Sequence, residues 1–111
     1  MITTHVLDIA TGTPAAGVSI ILEIRGAEDW QPVARGTTDA KGRLATLVEQ
    51  QQLDPGTYRL TFDLGTYHRG QGVTSPFFPE AKVIFNVRDP SQHYHVPLVI
   101  SPFGYSTYRG A

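Results

Sequence analysis

The chain of 111 residues contains no cysteine. This absence excludes a disulfide framework, thiolate zinc ligands and a cysteine nucleophile, and it fits a reducing compartment. A charge excess is missing as well, because nine Lys and Arg residues oppose ten Asp and Glu residues for a net charge of −1. Without surplus basic residues to neutralise phosphates, binding to nucleic acid is not expected.

Long apolar runs are also missing. No stretch approaches the roughly 20 apolar residues that a helix needs to span a bilayer. The opening residues Met1-Ile2-Thr3-Thr4-His5 have neither the positive charge nor the apolar segment of a signal peptide. We therefore expect a cytoplasmic protein without membrane contact, and the length fits a single domain over residues 1–111.

Sequence motifs for covalent catalysis are absent too. The Gly-x-Ser-x-Gly motif of serine hydrolases does not occur, and no serine has an evident base and orienting group nearby in the sequence. If the protein is an enzyme, its chemistry must come from residues that are distant in the chain.

The sequence does contain many short segments in which apolar and polar residues alternate, separated by Gly, Pro and Asp. Such alternation predicts β-strands, and the separating residues predict turns. Eight strands are predicted, over residues 2–8, 18–24, 31–37, 43–47, 58–64, 82–88, 93–100 and 105–109. One short helix is predicted over residues 66–71. This number and spacing of strands favours an all-β sandwich or barrel.

Two histidines fall on strand faces that point away from the predicted core. His5 shares its face with Leu7, and His95 shares its face with Pro97 and Val99. A face that meets water would carry Lys, Glu and Thr, so apolar neighbours indicate a surface covered by another subunit. The alternative is a half-exposed strand histidine without a special role, which is the commoner situation for either histidine alone.

Histidine and arginine together suit the addition of water to a carbonyl group. Histidine accepts a proton from water near neutral pH, and a guanidinium stabilises the oxyanion that forms. Arg43 follows the turn Asp39-Ala40-Lys41-Gly42 and is the candidate, with a solvated surface arginine as the alternative. A metal site on His93, His95 and His5 is a further alternative, although no carboxylate stands in a supporting position.

Four stretches of the chain are distinctive, namely Ile2-Thr3-Thr4-His5-Val6-Leu7-Asp8, Thr37-Thr38-Asp39-Ala40-Lys41-Gly42-Arg43, His93-Tyr94-His95-Val96-Pro97-Leu98 and Tyr105-Ser106-Thr107-Tyr108-Arg109-Gly110. Together they resemble one known family, the transthyretin-like 5-hydroxyisourate hydrolases. The resemblance covers essentially the whole chain, and the C-terminal signature is its most specific part.

This resemblance implies a fold, an assembly and an activity. The implied fold is a transthyretin-like sandwich of two four-stranded sheets with one short helix. The implied assembly is a homotetramer with active sites at the dimer–dimer interface. The implied activity is hydrolysis of 5-hydroxyisourate to 2-oxo-4-hydroxy-4-carboxy-5-ureidoimidazoline in urate catabolism, without a cofactor or a metal.

The resemblance also assigns roles to individual residues. The two catalytic histidines of the family fall on His5 and His95, and its catalytic arginine falls on Arg43. The implied substrate-binding residues are His5, Arg43, His95, Ser106 and Tyr108. The family's terminal tetrapeptide usually ends in serine, whereas this chain has Ala111, so a role for that hydroxyl is lost here.

Two other functions remain open at this point. The carrier transthyretin has the same fold but, as aligned, has lysine, glutamate and threonine at the positions of His5, Arg43 and His95. Residues 12–18 and 54–60 also look like sandwich modules of larger secreted proteins, which have no reason to carry these three residues together. The resemblance therefore favours the enzyme over the carrier and the module.

Overall fold

The computed structural model describes residues 1–49 and 52–111 and contains two packed β-sheets and one short helix. The elements in chain order are β1 (Ile2–Asp8), β2 (Thr13–Pro14), β3 (Ser19–Arg25), β4 (Trp30–Thr37), β5 (Arg43–Val48), β6 (Gly56–Asp63), α1 (Leu64–Gly70), β7 (Glu80–Val87), β8 (Tyr94–Ser101) and β9 (Gly104–Thr107). The predicted short helix is confirmed, and it begins at Leu64, two residues before the predicted start.

The first sheet has the strand order β2-β1-β8-β9, and β5 also pairs with β1. Because β8 pairs along the whole of β1, the strands β2 and β5 share its other edge, at opposite ends. The second sheet has the order β4-β3-β6-β7. The predicted sandwich is confirmed, with one addition: the two-residue strand β2 was not predicted, because two residues are too few to produce an alternating pattern.

The core lies between the two sheets and follows the predicted alternation. Strand β6 buries Tyr58, Leu60 and Phe62, while β8 buries the side chains at alternate positions from Tyr94 to Ile100. Full burial of an apolar side chain contributes about 1.5–3 kcal/mol relative to exposure. The inner face of the first sheet is thus held in place by the core, and its outer face is left for other contacts.

Helix α1 packs beside β7 and is hydrogen-bonded to the C-terminal end of β1. Asp63 caps the helix, since its Oδ1 accepts a hydrogen bond from the backbone N–H of Thr66 at 3.1 Å. The hydroxyl of Tyr67 donates a buried hydrogen bond to Oδ2 of Asp8 at 2.8 Å. Burial, and secondly the bond to Asp8, raises the pKa of the Tyr67 hydroxyl. No helix among residues 1–49 and 52–111 has the length and apolar character needed to cross a membrane.

Candidate active site

Strand β1 aligns its outer-face side chains with two neighbouring strands. Thr3 is paired with His95 of β8, and His5 is paired with Pro97 of β8 and with Arg43 of β5. Directly paired residues carry their side chains on the same face of a sheet. The two predicted catalytic histidines and the predicted arginine therefore meet on the outer face of the first sheet.

A hollow of about 350 Å³ opens beside these residues. It is lined by Met1, Thr3, Thr4, Arg43, His93, His95 and Ala111. Pockets for small molecules usually measure about 300–1,000 Å³. His5 is the strand partner of Arg43, which lines the hollow, and the charge of His5 acts on His95.

The turn before β5 fixes the position of Arg43. Gly42 adopts a φ of 74°, and a Cβ atom at this position would overlap the carbonyl oxygen of Val6. Oδ1 of Asp39 accepts hydrogen bonds from the backbone N–H of Lys41 at 2.8 Å and of Arg43 at 3.0 Å. These bonds, the one from Arg43 first, lower the pKa of the Asp39 carboxyl. The turn therefore delivers Arg43 to the side of His5.

His5 has a defined tautomer when its ring is neutral. Its Nε2 lies 2.9 Å from the carbonyl oxygen of Lys41. Because a carbonyl oxygen only accepts hydrogen bonds, Nε2 carries the hydrogen and donates it. Nδ1 of His5 is then the nitrogen with a free electron pair.

His95 belongs to a chain of hydrogen bonds that sequence analysis did not anticipate. Its Nδ1 lies 2.8 Å from Oγ1 of Thr3, and the same oxygen lies 2.7 Å from Nε2 of His93. Thr3 is buried, whereas His93 is exposed. The only sequence signal for this role was that Thr3 shares a face of β1 with His5.

The surroundings of His95 favour its neutral form. Burial is the largest cause that lowers the pKa of this imidazole, followed by the charges of His93, His5 and Arg43. A hydrogen bond with the backbone of Thr3 acts in the opposite direction but is the smallest contribution. A neutral imidazole whose Nδ1 is engaged by Thr3 keeps Nε2 for proton transfer with a substrate.

The C-terminal tail holds His95 from the other side. The backbone N–H of Gly110 donates to the carbonyl oxygen of His95 at 2.8 Å. A Cβ atom on Gly110 would lie 2.5 Å from Cδ2 of the His95 ring, so a side chain does not fit there. Arg109 secures the tail, because its guanidinium donates to Oε1 of Gln92 at 2.8 Å and stacks 4.7 Å from the ring centre of Tyr94.

The other two predicted substrate-binding residues do not line the hollow. Ser106 is paired with Val99 and lies on the same outer face, farther along the sheet. Tyr108 lies beyond the end of β9 at Thr107, so strand alternation no longer sets the direction of its side chain. It borders a separate hollow of about 260 Å³, which is also lined by Tyr94 from the core face of β8. Within one chain, the structure brings together His5, Arg43 and His95 but not Ser106 or Tyr108.

The metal site that the spacing of His5, His93 and His95 suggested would lie on this same outer face of the first sheet. Within the part of the chain that the structure describes, no three His, Cys, Asp or Glu side chains are arranged to hold a metal ion. The rings of His93 and His95 lie 6.2 Å apart between centroids, with the Thr3 hydroxyl bonded to both.

Comparisons with known proteins agree on one family. A family model described as HIUase/Transthyretin matches residues 2–110. The 5-hydroxyisourate hydrolase of Caulobacter vibrioides is 48% identical, with 99% of this chain and 97% of that protein covered. The solved structure of Klebsiella pneumoniae 5-hydroxyisourate hydrolase is similar with a TM-score of 0.86 at 39% identity, covering 99% of this chain and 97% of that one. Sea bream transthyretin in complex with thyroxine has a TM-score of 0.91 at 35% identity, covering 98% and 93%.

Proposed function

The chain belongs to the HIUase/Transthyretin family, and on that premise we propose that it hydrolyses 5-hydroxyisourate to 2-oxo-4-hydroxy-4-carboxy-5-ureidoimidazoline in urate degradation. The observation that carries this proposal is the convergence of His5, Arg43 and His95 on one sheet face. Full-length relatives at 45–48% identity bear the name 5-hydroxyisourate hydrolase. The fold alone does not separate the enzyme from the carrier, so the three side chains support the assignment.

In the proposed mechanism, His95 is the general base. Its lowered pKa keeps the ring neutral, and Nε2 takes a proton from water as the water oxygen attacks the amide-like carbonyl carbon of the substrate ring. Assistance of this kind typically accelerates a reaction about 10²–10⁴-fold. His5 is the other candidate base; because its Nε2 is bonded to the carbonyl of Lys41, we assign its Nδ1 to orient the substrate.

Arg43 binds the carbonyl oxygen that becomes negative during the attack. The guanidinium is permanently charged and presents several N–H donors in one plane, which suits an oxyanion. Its place beside His5, on a turn that Gly42 and Asp39 fix, means that the backbone of residue 43 is positioned before the substrate arrives. Loss of a single donor of this type costs about 10²–10³-fold in rate.

We also propose that a second copy of the chain covers this outer face, as part of a homotetramer with active sites at the dimer–dimer interface. Apolar side chains on the same face support this assembly: Leu7 is 37% exposed and is paired with Val99 of β8. Ser106 and Tyr108 would then complete the site from a neighbouring protomer, since neither lines the hollow of its own chain.

An assay with freshly generated 5-hydroxyisourate, together with sizing of the native oligomer, tests the proposed function. We expect the decay of the substrate to accelerate in proportion to protein concentration. A carrier of the transthyretin type would bind the compound without consuming it. Substrate decay at the buffer rate in the presence of the assembled protein would contradict hydrolysis.

Gly110→Ala is expected to lower kcat/KM at least about tenfold, because the new methyl group would push the His95 ring out of position, and small misplacements of a catalytic group are costly. Steady-state kinetics measures kcat/KM, and the thermal midpoint of unfolding checks that the variant remains folded. Gly70→Ala is the matched control, since its Cβ would meet no atom within 4 Å. Equal activity of both variants would show that the tail does not position His95.

Treatment with a strong chelator is expected to leave the rate unchanged, because Nδ1 of His95 is bonded to Thr3 and Nε2 of His5 to a carbonyl oxygen. The measurement compares initial rates before and after removal of divalent ions, with a known zinc hydrolase treated in parallel. Inactivation that added zinc reverses would favour the metal alternative instead.

A further inference from the structure

The hydroxyl of Thr3 lies between two imidazole nitrogens, 2.7 Å from Nε2 of His93 and 2.8 Å from Nδ1 of His95. A hydroxyl has one hydrogen to donate, so it donates to one ring and accepts from the other. The protonation states of the two rings are therefore linked. When Thr3 donates to His93, Nδ1 of His95 carries a hydrogen, and Nε2 of neutral His95 is free to accept one.

The two rings differ in how far they are exposed to water. Burial and the charges of His93, His5 and Arg43 lower the pKa of His95. His93 is exposed, so water solvates a cation at that position. Arg109 also lies near His93, since its Nη2 donates to the His93 carbonyl oxygen at 3.5 Å, and Met1 and Ala111 line the same hollow as the two rings.

We propose that Thr3 and His93 form a proton relay behind His95, which transfers the positive charge of hydrolysis from His95 to His93. The proposal rests on the proposed function, because it requires His95 to be the base. Thr3 and His93 line the same hollow, but in this scheme they act on the reaction only through His95, so they are positioning residues.

Each proton that one group of the relay releases is taken up by the next group, both during the attack of water and during the release of the leaving nitrogen. As water attacks the substrate carbonyl carbon, one of its protons moves to Nε2 of His95, the Nδ1 proton of His95 moves to Oγ1 of Thr3, and the Thr3 hydroxyl proton moves to Nε2 of His93. His93 then carries the positive charge. When the ring C–N bond breaks, Nε2 of His95 gives its proton to the leaving nitrogen. The relay runs backwards at this step and restores the starting tautomers.

The burial of Thr3 supports a relay rather than a solvent-exchanging contact. Thr3 is only 8% exposed, and its strand partner is His95 itself. Both oxygen–nitrogen distances are short for hydrogen bonds of this kind, which favours proton transfer along a fixed path. The backbone of β1 therefore holds the hydroxyl at one place between the two rings.

Thr3→Val and Thr3→Ser form the matched pair for the test. Valine keeps the shape of the threonine side chain without its hydroxyl, and serine keeps the hydroxyl without the methyl group. We expect Thr3→Val to lower kcat about tenfold to hundredfold with little change in KM, a part of the usual ~10²–10⁴-fold from a general base. Thr3→Ser is expected to stay within about threefold of the unmodified protein, because the donor and acceptor remain.

A rate series in mixtures of light and heavy water adds a readout that a merely structural role would not change. With the relay, several protons move in one step, so the plot of kcat against deuterium fraction is curved for the unmodified protein and for Thr3→Ser. The plot becomes straight for Thr3→Val. His93→Phe, at an exposed position, is expected to repeat the lower kcat and the straight plot, and it serves if Thr3→Val does not fold.

The outcomes separate this inference from the function itself. If the unmodified protein does not consume 5-hydroxyisourate, the proposed function fails and the relay fails with it. If the unmodified protein is active and either Thr3→Val or His93→Phe matches it in kcat, the relay alone is overturned. A lower kcat in both variants without a change in the shape of the plot would also overturn the relay, because only ring alignment would have been lost.

Discussion

His95→Asn is expected to lower kcat by about 10²–10⁴-fold, the contribution of a general base, while the sandwich and its oligomer remain intact. An asparagine side chain offers polar atoms to Thr3 but does not take up a proton at neutral pH. The bond between the Gly110 N–H and the carbonyl oxygen of residue 95 belongs to the backbone, so the tail keeps its place. The variant therefore loses the proton acceptor at residue 95 and keeps the folded sandwich and its oligomer.

If His95 is the base, the activity of the unmodified protein must also depend on pH through the protonation of this ring. Because burial, and after it the electrostatic effects of His93, His5 and Arg43, lower the pKa of His95 from its ordinary value of 6.5, the acidic limb of kcat/KM is expected below pH 6.5. The rate is retained where the ring is neutral and is lost as the pH falls through the lowered pKa. Steady-state kinetics with circular dichroism and native sizing provide the measurement. Near-normal turnover by a folded His95→Asn variant would refute His95 as the base.

Arg43→Lys is expected to lower kcat/KM by about 10²–10³-fold, although it preserves the charge. Lysine carries a compact ammonium on a flexible stem and lacks the planar arrangement of donors. The turn that fixes residue 43 bonds through its backbone N–H to Asp39, so the substitution leaves that anchor in place. The loss is expected mainly in kcat, because the oxyanion forms in the transition state.

The matched control for this variant is Arg35→Lys, at an exposed position on β4 of the other sheet. It tests the general effect of exchanging an arginine for a lysine in this sandwich. If Arg43→Lys and Arg35→Lys show the same kinetics, Arg43 is a surface residue that leaves the reaction unaffected.

Strand alternation predicted the faces of this fold well. The first predicted strand, residues 2–8, coincides with β1, and its outer-face residues include His5 as expected. The predicted strand over residues 93–100 likewise placed His95 correctly on the outer face of β8, because a strand with one buried face must place its apolar residues at alternate positions. Local sequence was sufficient wherever a strand continued for several residues.

Alternation failed where a strand ended. The predicted last strand extended to residue 109, but β9 ends at Thr107, and Tyr108 borders a different hollow. The alternation of side chains between the two faces no longer sets the direction of a side chain once the backbone leaves the sheet. Nothing in the local sequence marked that exit.

The contacts of Thr3 could not have been predicted from a single strand. Its hydroxyl bonds to histidines 90 and 92 residues away, and the parallel register of β1 and β8 decides that Thr3 faces His95. A shift of that register by one residue would place His95 beside a core-facing residue instead. The same holds for Gly110, whose missing side chain matters only because the tail crosses the His95 ring.

The most direct test of this account is a crystal structure of the native assembly with a non-hydrolysable analogue of 5-hydroxyisourate. We expect the analogue to lie on the outer face of the first sheet, with a carbonyl oxygen at the Arg43 guanidinium, Nε2 of His95 facing the carbon that water attacks, and a second protomer closing the site. An analogue bound only in the hollow beside Tyr108, with His5, Arg43 and His95 facing bulk solvent, would contradict the account.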